Sequence, residues 1–96
     1  MSYYVLFRDH HEDSAYLYEA ADSARLAKLF EGAHYSGDRP FDDVFAVPAT
    51  GGEIVPAEVR TRATPFDSDD YSTMYVYILV GGIQIASTSF RVDGRS

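Results

Sequence analysis

Tyr71–Phe90 reads YSTMYVYILVGGIQIASTSF. At its centre Gly81-Gly82 separates two runs of β-branched, aromatic and aliphatic residues, the pattern of a hairpin closed by a two-residue turn. Such a turn sets a register in which Val80 faces Ile83, Ile78 faces Ile85, Val76 faces Ser87 and Met74 faces Ser89. The other face then carries Leu79 with Gln84, Tyr77 with Ala86, Tyr75 with Thr88 and Thr73 with Phe90. The first face is aliphatic near the turn and is assigned to the core under a helix. The second is tyrosine-rich and amphipathic, either half-covered or a solvent-facing platform. The tyrosines alternate with aliphatics because side chains along a strand point to opposite faces in turn.

Working outward, SYYVLFRD reads as a first strand, with Tyr3, Val5 and Phe7 on one face and Tyr4, Leu6 and Arg8 on the other. The polar DHHEDS is a turn, and AYLYEA returns as a second strand. ADSARLAKLFEGA is the clearest helix: Asp22 or Ser23 can cap its N-terminus, and Leu26, Leu29, Phe30 and Ala33 form one apolar stripe. Gly32 is expected to end it. HYSGDRPFDD then reads as a loop, and VFAVPATGGEIVPAEVRTRA gives two short strands around TGGE. Pro48 and Pro56 cannot donate ladder hydrogen bonds, so that pair is expected at a sheet edge or as irregular strands. The expected architecture is one small acidic α+β domain over residues 1–96. It has an antiparallel sheet of about five or six strands with one short helix on one face, in the order β-β-α-β-β-β-β.

Composition limits the functional classes. The 96 residues carry 15 acids against 8 bases, a net charge of −7, and no cysteine. A disulfide framework and a thiolate metal site are thereby excluded, and the fold is compatible with a reducing host cytosol, where the chain is placed. The N-terminus lacks the basic and apolar regions of a signal peptide, and the apolar run Met74–Val80 is far too short to span a bilayer. Net acidity argues against direct binding of a nucleic-acid backbone or an anionic membrane, both of which require clustered Lys and Arg.

Complete catalytic motifs are absent. His10-His11-Glu12-Asp13 offers four potential ligands, but zinc sites draw theirs from two separated places. The aspartates of DSDD resemble the start of a calcium loop, yet its sixth and twelfth positions fall on Ser72 and Ile78 instead of Gly and Glu. TGGE and VGGI lie between strands and open no helix, so neither cradles a phosphate. No cofactor is expected.

The acidic loops are the remaining candidates. Between positions 38 and 70 there are eight acids and three bases. Asp38, Asp42 and Asp43 fall in one loop and Asp67, Asp69 and Asp70 in another, flanked by Tyr35, Phe41, Phe66 and Tyr71. Carboxylates beside aromatic anchors form a surface able to pair with Arg and Lys of a protein partner. The same charges also suit a solvated loop.

With its small size, lack of cysteine, acidity and the segment YLYEAADSARLAKLF (Tyr16–Phe30), the chain resembles the small proteins of phages and mobile elements, anti-CRISPR inhibitors in particular. That family shares no signature residues, and no site is carried over from it. The resemblance implies a non-enzymatic, stoichiometric inhibitor, monomeric or homodimeric, that blocks the basic nucleic-acid-binding surface of a target complex. Two further expectations stand beside it. One is a self-associating structural or assembly protein using strand edges or the Tyr75/Tyr77 face. The other is a metal-dependent enzyme built on carboxylates or the histidine pair.

Overall fold

The computed structural model describes residues 2–36, 43–65 and 71–93. Within them lie β1 (Tyr3–Asp9), β2 (Ser14–Glu19), α1 (Ser23–Ser36), β3 (Asp43–Pro48), β4 (Val55–Pro56), β5 (Glu58–Ala63), β6 (Tyr71–Val80) and β7 (Ile83–Asp93). The chain is α+β and every strand pairing is antiparallel. The strands divide into two sheets instead of the single one expected, β2-β1-β3-β4 and β5-β6-β7.

The division occurs within one extended segment. Val55 and Pro56 pair with Ala46 and Phe45, whereas Glu58 onward pairs with β6. Ala57 lies between, its N–H donating to the Val44 carbonyl at 2.9 Å. One residue thus serves as the corner at which a strand changes sheets. Pro56, unable to donate a ladder bond, sits in the two-residue edge strand, as proline requires.

The β6–β7 hairpin corrects the expected register. Gly81 and Gly82 adopt φ of 57° and 81°, a turn that glycine accommodates without strain, and Val80 and Leu79 face Ile83 and Gln84 as the turn dictates. Beyond them Ile78 faces Ala86, Val76 faces Thr88 and Met74 faces Phe90, so that Ile85 is an extra residue forming a bulge. A slip of one residue exchanges the two faces of a strand. The unbulged register would have put Ser87, Ser89 and Arg91 against Val76, Met74 and Ser72, and turned Phe90 and Val92 outward. With the bulge, Ala86, Thr88, Phe90 and Val92 are buried and Ser87, Ser89 and Arg91 are exposed. The bulge is therefore the local irregularity that lets two well-patterned strands share one core face.

In the first sheet, Val5 and Phe7 of β1 and Val44 and Ala46 of β3 point to the core, as the alternation predicts. The opposite side carries a row of apolar residues across all four strands: Leu17 pairs with Leu6, Leu6 with Phe45, and Phe45 with Pro56. Leu17, at the free edge strand, is 53% exposed.

The helix begins where the Asp22 carboxylate accepts the Arg25 backbone N–H at 3.2 Å, an N-cap. Leu26 and Phe30 are buried and Leu29 half-buried, and the Phe30 ring meets Phe7 edge-on at 5.8 Å. Contrary to the expected stop, the helix runs through Gly32 to Ser36. Gly32 has a helical backbone and open space around its Cα, so nothing there forces termination. The continuation brings the His34 ring to 6.0 Å from Phe90.

Two buried hydroxyls are satisfied without water. Thr88 donates to the Ser23 carbonyl at 2.6 Å and accepts from the Ser23 hydroxyl at 3.1 Å, fastening the start of α1 to β7. Ser72 donates to the Thr64 carbonyl, and the Thr64 hydroxyl accepts the Thr73 N–H at 2.9 Å. Among the described residues no buried side-chain polar atom lacks a partner, as a well-formed interior requires. A single apolar cluster joins β1, β3, α1, β6 and β7.

Candidate functional site

Because Val76 and Ile78 face the core, the intervening residues of β6 must face outward. Tyr71, Thr73, Tyr75 and Tyr77 accordingly line the outer side of the second sheet. The register sets their neighbours. On β5, Arg60 lies opposite Tyr77 and Arg62 opposite Tyr75. On β7, Ser87 lies opposite Tyr77, Ser89 opposite Tyr75, Arg91 opposite Thr73 and Asp93 opposite Tyr71. The bulge at Ile85 is what delivers Ser87, Ser89 and Arg91 to this side.

The rings and guanidinium groups are ordered against one another. Tyr75 and Tyr77 stack with centroids 6.5 Å apart and planes 13° from parallel. Residues i and i+2 on a strand are about 6.4–6.8 Å apart, so the backbone itself holds the rings at this spacing. The Arg62 guanidinium lies over the Tyr75 ring at 5.2 Å, and that of Arg91 over the Tyr71 ring at 3.7 Å. Each is a cation–π contact, worth about 0.5–1 kcal/mol at exposed sites. Arg60 is held differently: its Nε and Nη2 donate to the two carboxylate oxygens of Glu58 at 3.0 and 3.1 Å. That hydrogen-bonded carboxylate raises the Arg60 pKa, first by the hydrogen bond and then by its charge, so Arg60 stays protonated throughout the accessible pH range.

The electrostatics of this face oppose those of the chain. Among the described residues it holds three cations, Arg60, Arg62 and Arg91, against two carboxylates, Glu58 and Asp93. A chain with a net charge of −7 thus places three of its eight bases on one side of one three-stranded sheet. Tyr75 and Tyr77 are half-buried, whereas Arg60, Arg62, Ser87 and Ser89 are exposed. Tyr and Arg are the residues most enriched among interface hot spots, and Tyr and Ser dominate paratopes, where Tyr supplies area at low entropic cost.

Only three of the acidic-loop residues and flanking aromatics singled out from the sequence, Tyr35, Asp43 and Tyr71, are described. Asp38, Phe41, Asp42, Phe66, Asp67, Asp69 and Asp70 fall outside the described residues. Tyr35, expected in a loop, belongs to the last turn of α1. Asp43 opens β3, and its carboxylate meets His10 Nε2 at 2.5 Å. Tyr71 opens β6 on the other sheet and carries Arg91 over its ring.

The histidine turn has an ordinary structural explanation. The Asp9 carboxylate accepts the backbone N–H groups of His11 and Glu12 at 2.9 and 3.2 Å, which is an Asx turn. Asp13 adopts a left-handed φ of 51°, which Asp tolerates better than most residues. Among the described residues no three His, Cys, Asp or Glu side chains converge as metal ligands. A cleft of about 390 Å³ is lined by Ser2, Tyr3, Tyr4, Glu19, Ala20, Ala21, Ala49 and Ile85. Glu19 is the one carboxylate among these lining residues.

Sequence reasoning missed Arg60, Arg62, Arg91, Ser87 and Ser89. The signal for the first two was available: Arg60 and Arg62 at i and i+2 of a strand share a face. Placing them beside the tyrosines required the β5–β6 register, which the sequence does not specify. No helix among the described residues is long and apolar enough to cross a membrane. The chain matches no protein-family model, no curated protein and no solved structure.

Proposed function

We propose that this chain is a non-enzymatic protein-binding module that engages its partner through the outer face of the β5-β6-β7 sheet. The observation that supports the reading is the Tyr75–Tyr77 stack with Arg62 laid over it, on an open sheet surface with two exposed serines alongside. Rigid aromatics on a central strand lose little freedom on binding, and hydroxyl and guanidinium groups around them supply directional hydrogen bonds.

A second reading is favoured by the net charge of −7 and the eight acids between positions 38 and 70. Here the chain is an inhibitor of anti-CRISPR type whose acidic loops occupy a basic nucleic-acid-binding surface of a target complex in the host cytosol. Asp38, Asp42, Asp43, Asp67, Asp69 and Asp70 are its contacts, with Tyr35, Phe41, Phe66 and Tyr71 as anchors.

Affinity capture with the full chain separates the two readings. Replacing Tyr75 and Tyr77 together by Ser should remove the partner under the first reading, while replacing Asp67, Asp69 and Asp70 together by Asn should not. The second reading expects the reverse. A partner set untouched by the tyrosine pair refutes the first. Recovery of a second copy of the chain through this face would identify the module as self-assembling.

A further inference from the structure

We propose that Arg62, seated on Tyr75, is the receiving point for a carboxylate of an acidic polypeptide segment lying across β5, β6 and β7. This rests on the protein-binding reading above and names the chemistry of the partner.

The three arginines of the face are in different states. Arg60 is engaged by both carboxylate oxygens of Glu58. Arg91 lies against Tyr71. Arg62 rests on Tyr75, and among the described residues no carboxylate meets it. A guanidinium presents its N–H donors in its own plane, so a ring against its flat side leaves the donors available. That planar fork matches a carboxylate in a two-point contact, which an ammonium does not reproduce. The ring also lowers the entropy lost when the fork is used, because the long side chain is already placed.

The residues beyond Arg62 continue the path. Tyr75 lies next to it on β6 and Ser89 next to Tyr75 on β7, with Tyr77 and Ser87 forming a parallel row. Neighbouring strands are about 4.8 Å apart, so the path from Arg62 to Ser89 is roughly 10 Å, the span of three extended residues. A segment crossing here would set a carboxylate on Arg62, an apolar or aromatic group on the tyrosines and a polar group on the serines. The charge of the whole chain repels acidic segments in general, so the open fork of Arg62 is where one can dock.

A polynucleotide is the other polyanion an arginine can hold, and it fits less well. Base stacking requires free ring faces, whereas Tyr75 is already engaged by Arg62 and Tyr77, and Tyr71 by Arg91. Affinity for a phosphate backbone also grows with the number of clustered cations. Here Glu58 already neutralises Arg60.

The test is titration of the isotopically labelled full chain, followed by amide and side-chain NMR. Three probes of equal length are used: a decapeptide of alternating Glu and Phe, one of alternating Lys and Phe, and oligothymidylate. The Glu–Phe peptide is expected to shift Arg62, Tyr75, Tyr77, Ser87 and Ser89. R62A is expected to weaken it by about tenfold or more, and R62K to recover little of that loss. Both substitutions are at an exposed position, and the unchanged spectrum of the core serves as the control for folding. Unaltered Glu–Phe affinity in R62A overturns the proposal. So does tighter binding of oligothymidylate at the same residues, which would make the face a nucleic-acid site. Binding of the Lys–Phe peptide there instead overturns the acidic partner but leaves the protein-binding reading intact. No shift on this face with any peptide overturns both.

Discussion

Truncating side chains one at a time along β7 tests the bulge and everything placed by it. With Ile85 as the extra residue, Phe90 lies on the core side, 9% exposed, and Ser89 lies outside. Phe90→Ala then removes a ring of the core cluster, opposite Met74 and beside His34 of the helix, and such truncations cost about 3–5 kcal/mol. The lower half of that range applies, since the His34 side flanking the ring is exposed and can relax into the space. A domain of this size has about 5–14 kcal/mol in total, so the variant loses a large fraction of its stability. At roughly 4–8 °C per kcal/mol, the melting temperature should fall by about 12–32 °C. Ser87→Ala and Ser89→Ala, on the outer face, should each change stability by no more than about 0.5 kcal/mol. Urea unfolding followed by far-UV circular dichroism measures all three, and an unchanged denaturant slope would confirm that the denatured state is not what moved. If Phe90→Ala costs less than about 1 kcal/mol while either serine variant costs more, the strand is in the unbulged register. The arginine–tyrosine face as described would then not exist.

Two other substitutions probe the helix. Gly32→Ala places a methyl group in open space inside a helix and should stabilise the protein by about 0.5–1 kcal/mol, read as a higher urea midpoint. Thr88→Val keeps the shape but leaves the Ser23 hydroxyl and carbonyl without their partner. It should cost about 1–3 kcal/mol in the same assay, and a neutral result would mean that water replaces the hydroxyl.

The sequence carried the fold class well and the surface poorly, for identifiable reasons. The alternation in β1, the cap at Asp22 and the helical stripe through Leu26 and Phe30 are local signals, and the structure places each as expected. The last hairpin was half legible. A two-residue turn at Gly81-Gly82 makes even positions of β6 face odd positions of β7. Yet Val76 and Ile78 are apolar at even positions, and so are Ala86, Phe90 and Val92. That clash of parity is itself the signature of a bulge, and the turn rule alone hid it. The helix end was misjudged because Gly32 is permissive of a stop without compelling one. The sheet switch at Ala57 was not legible at all, since it depends on a hydrogen bond to a residue thirteen positions away, Val44. The arginines came to light only through pairing across strands, a non-local property. Asp43, in turn, proved to be tied to His10, a contact that crosses 33 positions.

The tie between Ser23 and Thr88 spans 65 positions and has a consequence in time. The helix leaves the ribosome well before β7 does. Until β7 arrives, Leu26 and Phe30 lack the Ala86, Phe90 and Val92 side of their cluster, and the start of the helix lacks its fastening. Local segments can form early, but contacts of such separation must wait for the chain to close over them. β7 must therefore emerge before the interior can close, and a truncation ahead of it would leave an apolar helix face uncovered for chaperones or proteases. β7 works as the clasp of the molecule, and its outward side is formed in the same event.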